Sequence, residues 1–116
     1  MKKVFVLYAK DMRKSVDRMY DEGHYLTPQE ILSDYAVVFE SECKDDVLPD
    51  ELFVLLNSDE NPLACIQGQK KIKKLGVDHT SMCIGDILVI DKEWHVCDVS
   101  GWKEISSIKD LQIVHQ

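Results

Sequence analysis

The apolar positions change period several times along the chain. "VFVLYA", starting at Val4, is apolar on both alternating faces, which predicts a central strand buried on two sides. "KDMRKSVDRMYDEGHYL" follows, charged and broken by Gly23. It carries Met12, Val16, Met19 and Tyr20 at helical spacing, the pattern of a loop or short helix. "TPQE", at Thr27 to Glu30, has the form of a capping box: a threonine hydroxyl for the first free amides, Pro28 where no amide is needed, and Glu30 reaching back. A short helix is predicted from there to about Ser33. "DYAVVFESE" then alternates Tyr35, Val37 and Phe39 against Ala36, Val38 and Glu40, a period of two rich in β-branched and aromatic residues, and reads as a second strand.

"LPDELFVLLN" sets Pro49 at a helix start, with Asp50 and Glu51 at the positive end of the dipole and Leu52, Phe53, Leu55 and Leu56 as the apolar side. That helix is expected to end near Asn57. After the polar "SDEN", the stretch "NPLACIQGQKKIKKLGVD" predicts another helix, with Asn61 as cap, Pro62 at its first position and Gly76 as its stop. Leu63, Ile66, Ile72 and Leu75 form a partial stripe, and Gly68 weakens the middle. "DILVID" and "EWHVCDV" read as two strands about a tight turn near Lys92, "GWKEI" continues extended, and "LQIVH" offers a last strand. The sum is an α+β fold: a mainly antiparallel sheet with two or three helices on one face and a C-terminal β-hairpin. With 116 residues, residues 1–116 form one domain.

Composition narrows the class. The chain is 45% hydrophobic and 30% charged, enough apolar surface to offset chain entropy and fold. No apolar run approaches the roughly 20 residues that span a bilayer, and the N-terminus lacks a signal-peptide pattern, so no membrane association and a cytoplasmic location are expected. A net charge of −7 argues against general affinity for polyphosphates and suits a basic partner. Cys43, Cys65, Cys83 and Cys97 are irregularly spaced, which favours free thiols over a disulfide framework.

"HTSMCIGDILVIDKEWHVCDVSGWKEI", from His79 to Ile105, holds the candidate chemistry. His79, Cys83, His95 and Cys97 are the residue types that bind zinc, but no C-x-x-C pair supplies two ligands from one tight turn. His79, Ser81, Cys83 and Asp86 supply the types for nucleophilic catalysis, without an elbow such as G-x-S-x-G to present the nucleophile. A local backbone hydrogen bond for Thr80 or Ser81, and a turn at Gly85-Asp86, account for them more simply. No catalytic residue, metal or cofactor is assigned. Lys70, Lys71, Lys73 and Lys74 are the one basic cluster; at a helix C-terminus they suit the dipole, and their alternative is a nucleic-acid face. Trp94 and Trp102 lie in the hairpin region, where packing accounts for them.

The same C-terminal stretch resembles the signature of YodL-like domains, small proteins of Firmicutes phages, plasmids and conjugative elements. The matching positions are His79, Ser81, Gly85, Asp86, the strand Ile87 to Ile90, the strand Trp94 to Cys97, Asp98, Gly101 and Trp102, with Cys83 where a second serine is common. "VFVLYAKD", "SDYAVVFES" and "LPDELFVLLN" followed by Asn-Pro extend the likeness upstream. The resemblance implies an α+β module of no established activity carried on mobile elements, and hands over no catalytic residues. By that analogy the expected function is a non-enzymatic accessory protein that binds a host or element protein in a counter-defence or regulatory role. His79, Ser81, Asp86, His95 and Trp102 are its candidate binding residues. Two alternatives stand beside it: a nucleic-acid-binding module using the four lysines, and a small hydrolase or metal-binding protein around His79, Cys83 and His95. An exposed edge strand is compatible with a homodimer.

Overall fold

The computed structural model describes residues 1–21 and 26–105; the last strand expected in "LQIVH" lies outside them. In chain order the elements are β1 (Lys2–Ala9), α1 (Met12–Tyr20), α2 (Pro28–Asp34), β2 (Tyr35–Cys43), α3 (Pro49–Leu56), α4 (Ile66–Lys74), β3 (Ile87–Ile90), β4 (Glu93–Asp98) and β5 (Gly101–Glu104). The strands form one antiparallel sheet in the order β2-β1-β3-β4-β5. The α+β prediction therefore holds.

β1 lies between β2 and β3, and its two apolar parities line two cores. Val4, Val6 and Tyr8 join Ala36, Val38, Leu88 and Ile90 on one face, covered by Leu52 and Leu56 of α3 and Ile72 of α4. Leu7 and Ala9 join Tyr35, Val37, Ile87, Val89, Trp94 and Val96 on the other, covered by Ile31 of α2 with Met19 of α1 packed beside it. Two helices share one face as expected, and the opposite face has helical cover of its own. That second layer explains why β3 and the Val4–Ala9 part of β1 are apolar: β3 is buried along its whole length, and β1 is buried from Val6 to Ala9.

Helix starts follow the local chemistry, with one exception. The capping box at α2 is complete: Glu30 N–H donates to Thr27 Oγ1 at 3.2 Å and Thr27 N–H to Glu30 Oε1 at 3.0 Å. α3 runs from Pro49 to Leu56 with Asn57 as its C-cap, as its sequence predicts. α4 does not begin at Asn61. Its N-cap is Cys65, whose sulfur accepts from Gly68 N–H at 3.3 Å. Asn61 is buried and engaged elsewhere: its amide donates to Leu56 O at 2.7 Å and Thr80 O at 2.9 Å, and its Oδ1 accepts from Leu63 N–H. The side chain thus builds a turn that holds two segments together. That turn sets Leu63 so close to Gly68 that a Cβ there would lie 2.6 Å from the Leu63 carbonyl oxygen, so Gly68 is the residue that lets the two segments meet.

The hairpin forms with Ile90 opposite Glu93. Its turn is anchored to β1, because Asp91 N–H donates to Lys3 O and Lys3 N–H donates to Asp91 Oδ1.

Candidate functional site

The loop between α4 and β3, residues 78–86, gathers most of the chemistry in one place. His79 lies between two carboxylates: Nδ1 is 2.8 Å from Asp78 Oδ1 and Nε2 is 2.8 Å from Asp86 Oδ2. An imidazole that donates from both nitrogens is the charged form. Burial pulls the His79 pKa down, but hydrogen bonds and charge from Asp86 and Asp78 outweigh it and leave the value raised. The ring also stacks on Tyr8, with centroids 4.8 Å apart and an interplanar angle of 12°.

Asp86 is 1% exposed and every partner it has is a donor. Its Oδ2 accepts from His79 and from Cys83 N–H at 2.8 Å, and its Oδ1 accepts from Ala9 N–H at 2.8 Å. Burial pushes this carboxyl up, opposed by His79 and by the two backbone amides; with three donors converging, the group is read as a carboxylate. Asp78 in turn accepts from Met12 N–H at the start of α1, at 3.1 Å.

The rest of the loop is tied down as firmly. Tyr8 OH and the Asn61 amide both donate to Thr80 O, the Asn57 amide to Met82 O, and Tyr35 OH to Gly85 O at 2.6 Å. Cys97 N–H donates to Asp86 O and Gly85 N–H to Cys97 O. The loop is therefore held by β1, β2, α1, β4 and the segment after α3.

Of the expected site residues, the structure brings together His79, Cys83 and Asp86, whose ligating atoms lie within 4.8 Å of one another. Ser81 is exposed on the same loop. His95 sits on β4 opposite Leu88, with Nε2 3.8 Å from Glu93 Oε2, and with Cys97 it stands outside this cluster. Trp102 belongs to a different contact: its indole N–H donates to Asp50 Oδ1 at 2.8 Å and its ring meets Phe53 edge-on, fastening β5 to α3. The Cys83 thiol is pushed up to about 11 by burial and by the charges of Asp86 and Asp78, so at neutral pH it is a thiol, a weak nucleophile. All four cysteines are unpaired.

Sequence reasoning missed Asp78, Tyr8 and Met12 as parts of this cluster. Asp78 adjoins His79 in the chain, a signal that was there to use. Tyr8 and Met12 come from the other end of the molecule, and only the pairing of β1 with β3 puts them here. The lysine cluster lies on α4 with Lys70, Lys71, Lys73 and Lys74 all exposed.

A stretch of 56 residues is 36% identical to the uncharacterised protein R785 of Acanthamoeba polyphaga mimivirus, covering 48% of this chain and 51% of the viral protein. The match thus spans about half the length of that relative. No family model matches the chain, and no solved structure does. Among the described residues, no helix is long and apolar enough to cross a membrane.

Proposed function

We propose that this chain is a non-enzymatic accessory protein of viral or mobile-element type that binds a basic surface on another protein in the cytoplasm. The observation that carries this reading is the full commitment of His79 and Asp86 to bonds inside the fold: neither imidazole nitrogen is left to serve as a base, and the neighbouring thiol is protonated. The residues that look most like reagents act as a fastening for the loop. The resemblance to YodL-like domains and the likeness to a viral protein support the accessory role by analogy, and four free thiols suit a reducing compartment.

The surface that fits such a partner surrounds the start of α3. Asp45 and Asp46 are exposed there, with Asp50 and Glu51 following in the first turn. Asp45 meets the N-terminal amine, Asp46 and Glu51 share Lys44, and Asp50 accepts from Trp102, so a basic partner adds to or replaces these contacts. Leu48 is 60% and Val54 65% exposed. Acidic groups around solvent-facing aliphatic side chains match a basic partner with an apolar centre. The test is affinity capture from host lysate with the wild-type chain and with Leu48→Asp/Val54→Asp, which alters only exposed side chains. A protein retained by the wild type, released by salt and lost with the double variant is the expected result. The same set of proteins on both baits, or none on either, would overturn the reading.

A second reading, a nucleic-acid-binding module, is favoured by the four exposed lysines of α4, none of which forms an ion pair among the described residues, while Lys3, Lys14, Arg18 and Lys44 all do. Oligonucleotide binding at low salt that disappears when the four lysines become glutamate would support it; no binding at low salt would remove it.

A further inference from the structure

The knot around His79 contains one group that a purely structural ion pair does not need. Cys83 Sγ lies within 4.8 Å of a ligating atom of His79 and of Asp86, while it is bonded to the Met12 sulfur at 3.3 Å and to Ser81 O at 3.4 Å. The cluster also carries two carboxylates against one imidazolium, an excess of negative charge around a half-buried thiol.

We propose that His79, Cys83 and Asp86 form a zinc(II) site, with Asp78 orienting the imidazole from outside. One imidazole nitrogen of His79, the Cys83 Sγ and one carboxylate oxygen of Asp86 lie within 4.8 Å of one another, and Nε2 and Oδ2 are 2.8 Å apart. Zinc bonds of about 2.0–2.3 Å place tetrahedral ligands about 3.3–3.7 Å apart. Nε2 and Oδ2 therefore need to separate slightly, and Sγ has to leave its contacts with the Met12 sulfur and Ser81 O to bind. Asp86 is fixed by Ala9 N–H and Cys83 N–H. Nδ1 of His79 is held by Asp78, the arrangement by which a carboxylate sets the tautomer and orientation of a metal-binding imidazole.

The charges balance. On binding, the ion replaces the proton on Nε2 and the proton on Sγ, and both go to solvent; Asp86 remains a carboxylate and Asp78 keeps its hydrogen bond to Nδ1–H. A dication with a thiolate and a neutral imidazole then carries the same formal charge as the imidazolium with the thiol, so the cluster's net charge does not change with loading. Thiolate and imidazole select zinc over calcium and magnesium, which take oxygen ligands, and a carboxylate in the set suits zinc better than the cuprous ion. Three protein ligands leave a fourth position for solvent, on a site flanked by the partly exposed Met12.

The experiment uses the full chain, stripped with a chelator and titrated with cobalt(II), then zinc(II). One equivalent of cobalt is expected to raise a thiolate-to-cobalt band in the near ultraviolet that zinc abolishes. Cys83→Ser is expected to remove the band, Asp78→Asn to weaken zinc binding about 10–100-fold, and His95→Gln to change nothing. A readout that needs no variant is alkylation mapped by mass spectrometry: zinc should slow modification of Cys83 and leave the exposed Cys65 unaffected. No band at stoichiometric cobalt, a band that survives in Cys83→Ser, unprotected Cys83, or binding of cuprous ion without zinc would each overturn the assignment. The site bears on the proposed function, because the ion takes Nε2 from its bond to Asp86 and the proton from Cys83, so the fastening of the loop by His79 and Asp86 is that of the metal-free chain. The metal titration on the isolated chain and the capture from lysate fail separately.

Discussion

At Asp86, a single deeply buried carboxylate collects His79, Cys83 N–H and Ala9 N–H, so truncating it leaves the Nε2–H of His79, which then keeps only Asp78, and two backbone donors without an acceptor. Asp86→Ala is expected to cost about 3–5 kcal/mol in urea unfolding of the metal-free protein, and a loss below 1 kcal/mol would show that water replaces the carboxylate. Its neighbour Gly85 has φ of +95°, and a Cβ built there would lie 1.8 Å from Ser15 Oγ. Gly85→Ala should therefore cost about 2–4 kcal/mol, combining left-handed backbone strain with overpacking. The double change Gly85→Ala/Ser15→Gly should recover the steric part and leave the conformational part. The turn at Gly85-Asp86 was legible in the sequence as a Gly-Asp before a strand. The clash with Ser15 was not, because α1 reaches the loop only through the tertiary fold.

At the scale of elements, α1 and α2 are joined through Arg18. Its Nη2 lies 2.6 Å from Asp34 Oδ2 and its Nε 3.4 Å from Glu30 Oε2. The Arg18 hydrogen bond holds the Asp34 carboxyl below its ordinary value of 3.8, against a smaller opposing effect of burial. A carboxyl with a depressed folded-state pKa adds stability that is present above its unfolded value and is lost as pH falls through the folded one. Thermal unfolding between pH 5 and about pH 2 should accordingly show a smaller acid-induced loss in Arg18→Met than in the wild type. Equal slopes would mean that solvent screens the pair. The ends of α2 and α3 were legible because their caps are local, drawn from residues three apart. The start of α4 was not, because Asn61 has the composition of a cap while its side chain bonds Thr80, far along the chain.

Across the whole molecule, the central position of β1 and β3 sets where the fold is most resistant to opening. Both strands are paired on two sides and covered on both faces, whereas β5 is short and outermost among the described strands. Native-state hydrogen exchange should find the slowest amides at Val6, Leu88 and Val89, and faster exchange at Trp102 and Lys103. Comparable protection throughout would indicate that the sheet opens only by global unfolding.

The sequence by itself determined the α+β class, the central strand, the capped starts of α2 and α3, and the C-terminal hairpin, because each depends on the period of nearby residues or on bonds within a few positions. It also supplied the chemically suggestive residues of the 78–86 loop. Only the tertiary structure decided which of them meet. Antiparallel pairing of β1 with β3 brings Ala9 N–H to Asp86, Tyr8 beneath His79 and Met12 beside Cys83, while His95, sixteen residues after His79, is left on a strand facing other neighbours. Contacts between the two ends of a chain follow from register and packing, and no local pattern of residue types carries that information.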